Sequence, residues 1–96
     1  MSALMIARIT VKDPAAFQEY LQKSKQLAGS HGAELLFRGR VGRSLNGEQD
    51  HEMTVIARFP SLQKIEEWYD SADYQPLKAL RDTGSDMHMT AYEVQD

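Results

Sequence analysis

Apolar residues cluster or alternate over four short stretches of this chain and recur with helical spacing between them. Leu4 to Val11, rich in β-branched and apolar residues, predicts a strand. Asp13-Pro14 then opens a helix, with Asp as N-cap and Pro at the first helical position. Phe17, Tyr20, Leu21, Ser24, Leu27 and Ala28 follow the i, i+3, i+4, i+7 pattern, against a wet face of Gln18, Glu19, Gln22, Lys23 and Gln26. Gly29 is the expected C-cap, and Gly32 allows the turn after it. Ala33 to Val41 predicts a second strand and His51 to Phe59 a third. The polar stretch between them carries Asn46-Gly47, a hairpin signal. Ser61 caps a second helix that turns Leu62, Ile65, Trp68 and Tyr69 inward. Ser71 to Asp73 interrupts it, and Asp73 is placed to cap a further short helix. Pro76 is tolerated in its first turn, Tyr74, Leu77 and Arg81 share a face, and Gly84 ends it. Met87 to Val94 predicts the last strand.

The order β-α-β-β-α-β predicts an α+β fold of the ferredoxin-like kind: a four-stranded antiparallel sheet with the helices on one face. Successive strand residues point to opposite faces. One set, Met5-Ala7-Ile9-Val11, Ala33-Leu35-Phe37-Val41, Met53-Val55-Ala57-Phe59 and Met87-Met89-Ala91, is almost wholly apolar and is assigned to the helix side. The other set mixes Leu4, Ile6, Leu36, Ile56, Tyr92 and Val94 with Arg8, Arg38, Arg40 and Arg58. Water alone does not call for so many apolar residues, and a dry core does not accept the arginines. The mixture suits a two-fold interface, so the expected partner is a second copy, held through Leu4, Ile6, Leu36, Ile56 and Tyr92.

With 96 residues, the chain is expected to form one domain over residues 1–96. It has no cysteine, so no disulfide and no Cys-based zinc site can reinforce so small a core. The net charge of −3 and the lack of a basic stretch argue against a nucleic-acid partner. No apolar run reaches the length of a membrane span, and the start lacks a basic, apolar leader, so a cytoplasmic protein without membrane contact is expected.

Several motifs tempt without convincing. Asp82-Thr83-Gly84-Ser85 spells an aspartic-protease signature, but it follows a helix and lacks a glycine-rich flap after it. Met87-His88-Met89 cannot converge on one ion, because neighbours on a strand point apart. His31 and His51 fall in different loops without ligand spacing, so no metal site and no cofactor are expected. An aromatic-arginine group is more informative. Tyr20, Trp68, Tyr69 and Tyr74 lie on or between the helices, Arg81 follows, and Arg38 stands on the second strand. Tyr and Trp combine an apolar body with a polar tip, and Arg grips carboxylates at two points. These six are the candidate ligand-binding residues; the alternative reading of the same group is core packing with an ion pair. No catalytic residue is assigned.

Asp13-Pro14, Tyr20, Gly32, Arg38-Gly39, Leu45-Asn46-Gly47, Phe59-Pro60-Ser61, Trp68-Tyr69, Ser71, Tyr74-Gln75 and Arg81 together resemble the family called domain of unknown function 1330. The resemblance spans nearly the whole chain and implies a ferredoxin-like subunit of a dimeric α+β barrel. The chain departs from the family pattern at Gly32-Ala33, where Gly-Gly is common, and at Asn46-Gly47, where Glu-Gly is common. The wider superfamily is similar in fold to cofactor-free monooxygenases, small isomerases, haem enzymes and ligand-sensing domains, and fold analogy does not choose among them. The expected function is binding of a small aromatic or carboxylated molecule in a cleft between sheet and helices. The alternatives are a cofactor-free monooxygenase- or isomerase-like enzyme acting on small aromatics, and an assembly module without ligand.

Overall fold

A computed structural model describes residues 2–95; Met1 and Asp96, the ends of the expected domain, lie outside them. The elements run β1 (Ala3–Val11), α1 (Pro14–Ser30), β2 (Glu34–Arg40), β3 (Met53–Phe59), α2 (Leu62–Asp70), α3 (Leu77–Gly84) and β4 (Ser85–Glu93). The strands pair antiparallel in the order β2-β3-β1-β4, so β1 and β3 are central and β2 and β4 are edges. This is the expected ferredoxin-like sheet.

The predicted N-caps act as such. The Asp13 carboxylate accepts from the backbone N–H of Ala15 (3.1 Å) and Ala16 (3.3 Å), and Ser61 Oγ accepts from Lys64 N (3.2 Å). Other boundaries move. The first helix runs past Gly29 to Ser30 and is capped by His31, and Gly32 takes the left-handed conformation at φ 86°. Before α3, Ser71 rather than Asp73 caps the turn, its Oγ accepting from Tyr74 N (3.2 Å). The third strand starts at Met53 rather than His51, and the last at Ser85 rather than Met87. Gly84 joins α3 to the start of α1. Its carbonyl accepts from Lys12 N (2.8 Å) and Asp13 N (3.1 Å). A Cβ there would stand 2.6 Å from Phe17 N, so the two helix ends meet only because the residue is glycine.

Facing residues on β1, β3 and β4 follow the expected alternation. Ala7, Ile9, Met53, Ala57 and Phe59 are buried under the helices together with Phe17, Tyr20, Ile65, Trp68, Tyr74 and Leu77. The β2 strand departs from it. A bulge between Leu35 and Phe37 sets Leu35 opposite Ala57 but Phe37 opposite Ile56, Arg38 opposite Val55 and Arg40 opposite Met53. One extra residue shifts the alternation by one, so every side chain beyond it changes face. Phe37 therefore joins the outer face and Arg38 the helix side, the reverse of the sequence-based assignment. Phe37 folds back over Gly39, where a Cβ would meet its ring at 2.7 Å.

No helix covers the outer face. Rows run across it from Phe37 through Ile56 and Ile6 to Thr90, and from Glu34 through Arg58 and Leu4 to Tyr92. Leu4, Ile6 and Ile56 are half-buried, while Leu36, Phe37 and Tyr92 are exposed. No helix among the described residues is long and apolar enough to cross a membrane.

Candidate functional site

A cavity of about 270 Å³ lies between the helix side of the sheet and α1. Met5, Ala7, Ile9, Val55, Ala57, Met87 and Met89 make its floor, and Tyr20, Leu21, Ser24, Lys25 and Ala28 its roof. Residues at i, i+1, i+4, i+5 and i+8 on α1 form one stripe, which is why a single helix face roofs it. Trp68 closes one side. Leu35 and Arg38 of β2 border the other, with the exposed Lys25 across from them on α1.

Three of the six candidate residues line this space: Tyr20, Trp68 and Arg38. Arg38 reaches it because of the β2 bulge. Tyr74 stands directly behind Tyr20. Their hydroxyls are 2.7 Å apart, the rings meet edge to face at 6.4 Å, and Tyr74 Oη lies 3.7 Å from Met89 Sδ. Burial pushes both phenols above their ordinary pKa, and for Tyr20 the neighbouring Tyr74 adds to the effect. Both hydroxyls therefore stay protonated across the physiological range. Trp68 packs on Phe59 (5.4 Å) and Tyr74 (4.8 Å), and its Nε1 is buried without a hydrogen-bond partner among the described residues.

Tyr69 and Arg81 form a separate group beyond that wall. Arg81 Nη1 donates to Tyr69 Oη (2.9 Å), and Arg81 Nε donates to Asp82 (3.0 Å). Lys78 Nζ sits 4.8 Å above the Tyr69 ring. Burial acts to lower the Arg81 pKa, but hydrogen bonds to Asp82 and Tyr69 outweigh it and keep the guanidinium charged. The same guanidinium holds the Asp82 carboxyl below the usual range. Neither Tyr69 nor Arg81 borders the cavity. Asp82 itself lies in the last turn of α3 beside this arginine, a structural position for the Asp-Thr-Gly-Ser run.

Lys25, Ser24 and Leu35 line the cavity without having been singled out as candidates. The signal for Lys25 is its spacing, four residues after Leu21 and three before Ala28 on the apolar stripe. The lining includes no carboxylate and no imidazole among the described residues.

Solved structures with this fold are numerous, and their identities are too low to carry more than the fold. A protein of unknown function from Rhodopseudomonas palustris superposes with a TM-score of 0.82 at 17% identity, covering 99% of this chain and 83% of that one. A dimeric ferredoxin-like protein of unknown function from Jannaschia sp. CCS1 gives 0.72 at 10% identity, covering 98% of this chain and 100% of that one. SnoaB, a cofactor-independent oxygenase from Streptomyces nogalater, gives 0.70 at 12% identity, covering 99% and 94%. None of the curated proteins matches. The family described as Domain of unknown function (DUF1330) matches residues 2–94, and the chain belongs to that family.

Proposed function

We propose that this chain is a cytoplasmic homodimer that binds a small, largely apolar organic acid, with its aromatic or aliphatic body in the cavity and its carboxylate at Arg38 and Lys25. The observation that carries the reading is an apolar cavity of about 270 Å³ with two cations at its β2 side and no anion in its lining among the described residues. An engineered apolar cavity of ~150 Å³ already takes up benzene, so the space suffices for a substituted ring. Arg38 offers a two-point grip on a carboxylate, and Lys25 adds a second charge. Tyr20 and Trp68 supply aromatic wall, while Tyr74, Tyr69 and Arg81 hold that wall in place. The dimer reading rests on the uncovered outer face and on the likeness to ferredoxin-like proteins described as dimeric. The absence of cysteine supports the cytoplasmic assignment.

The fold likeness to the Streptomyces nogalater oxygenase favours a second reading, in which the same cavity oxidises an activated aromatic. Such chemistry calls for a base to deprotonate the substrate. Tyr20 keeps its proton too tightly for that role, and this favours binding over turnover.

Trp68 is the one tryptophan of the chain and lines the cavity, so its fluorescence reports occupancy. Titration with benzoate and naphthoate should shift its emission saturably, and the matched methyl esters should bind more weakly. Arg38→Ala should weaken the acid by about 1.5–3 kcal/mol, roughly ten- to a hundredfold, the usual worth of a charged hydrogen bond. Equal affinity for acid and ester, or an Arg38→Ala variant that binds as the parent does, would overturn the reading. Oxygen consumption with a dihydroxyaromatic would move it to the second.

A further inference from the structure

On the opposite face of the sheet, the structure joins two histidines that the sequence keeps 37 positions apart, and adds an aspartate. One ligand atom each from His51, Asp86 and His88 lies within 4.8 Å of the others. Asp86 and His88 are alternate residues of β4 and share its outer face, opposite Thr10 and Arg8 of β1. His51 ends the loop before β3 and packs edge-on against His88, with ring centroids 4.6 Å apart. We propose that these three residues form a site for a divalent transition-metal ion of the zinc class.

The state of His51 carries the argument. The residue is buried, at 6% exposure. Its Nδ1 lies 3.0 Å from Thr10 Oγ1. Its Nε2 is buried and has no hydrogen-bond partner among the described residues. A buried imidazole with one nitrogen fixed by a hydroxyl and the other left open is the arrangement of a metal-ligating histidine, whose outer hydrogen bond sets the ring's tautomer and direction. A buried polar atom without a partner is otherwise costly. Two imidazoles and a carboxylate are the donor set of three-ligand zinc centres, which keep a further position for water. Tetrahedral bonds of about 2.0–2.1 Å need donor atoms about 3.3 Å apart, so the donors must approach one another by up to about 1.5 Å. Asp86 and His88 are exposed in the single chain, at the end of β4 opposite from Tyr92. Arg8, opposite His88, opposes cation binding, and its Nη2 donates to Gln49 Oε1 at 3.4 Å.

The test uses tag-free, full-length protein stripped with chelator and desalted. Zn²⁺ titrated calorimetrically should bind one ion per chain and raise the thermal midpoint. Co²⁺ should give the visible absorption of a low-coordinate site. His51→Ala risks the fold, so the exposed ligands carry the decision. His88→Ala and Asp86→Asn should each weaken Zn²⁺ at least tenfold while leaving the midpoint of the metal-free protein unchanged. Thr10→Val should weaken it about 10–100-fold through the orientation of His51. His31→Ala should change nothing. Absence of stoichiometric Zn²⁺ binding overturns the proposal, as does binding that survives both His88→Ala and Asp86→Asn.

Discussion

The two sides of the cavity differ in what covers the sheet. Toward α2 and α3, Trp68, Tyr74 and Phe59 are at most 2% exposed, and the hydroxyls of Tyr20 and Tyr74 bond each other. Toward β2, no helix lies over the strand. Leu35 faces the helix side yet is 54% exposed, and Arg38 and Lys25 stand at the border. Apolar residues of the same kind form a core where a helix covers them and an entrance where none does. Polarity follows the same division: on the covered side the two tyrosine hydroxyls pair with each other, whereas the open side carries cations with no anion opposite them in the lining among the described residues. The binding reading therefore belongs to the β2 side, although the sequence concentrates its aromatic residues at the other.

Strand register gives the largest expected effect. Deleting Ile6 shifts half of a central strand that pairs on both sides without a bulge, turning its apolar set toward solvent. That variant should show no cooperative urea transition. Deleting Leu36 removes the extra residue of the β2 bulge and leaves Leu35 and Arg38 facing Ala57 and Val55. It should fold, with dispersed amide resonances close to the parent's. Loss of the fold in the Leu36 deletion would show that the open side is as tightly specified as the covered one.

Truncation within each side comes next. Trp68→Ala should cost about 3–5 kcal/mol in urea denaturation, the range for large buried aromatics. Leu35→Ala should cost less than about 1 kcal/mol, because half of its surface is already in water. Comparable losses at the two positions would mean that something covers Leu35 in solution, and the second copy is the first candidate.

The covered side was legible in the sequence because its signals are local. Asp13-Pro14 and Ser61 announce helices, and Phe17, Tyr20, Ile65 and Trp68 mark their buried faces by spacing alone. The open side was not. Strand alternation puts Arg38 on the outer face, and only the β2–β3 pairing reveals the extra residue that reverses it. The Glu34-to-Arg40 run contains no proline and no polar break at the bulge to betray it. Arg81 misled for the opposite reason. It shares a helix face with aromatic residues, but its near neighbour Asp82 and the Tyr69 hydroxyl engage it before any ligand could. His51 and His88 meet because strands on both sides of β1 bring them there, a relation that spacing along the chain does not encode.

The smallest effect separates the two sides by proton rather than by volume. Tyr20 and Tyr74 have folded-state pKa values raised above the ordinary 10.0 by burial. Below pH 10 the folded and unfolded chains both hold these protons, and the stability of the hydroxyl pair is fully present. Above it the unfolded chain releases protons that the folded chain keeps, so stability falls as pH rises. The urea midpoint should therefore decline from about pH 10 upward. Tyr20→Phe should lower stability at pH 8 by about 1–2 kcal/mol, by leaving Tyr74 Oη with only the weak acceptor Met89 Sδ. It should also flatten the alkaline decline. Arg38→Gln, on the open side, should leave that decline unchanged. A slope that follows Arg38 rather than Tyr20 would place the titrating groups at the entrance and dissolve the distinction between the two sides.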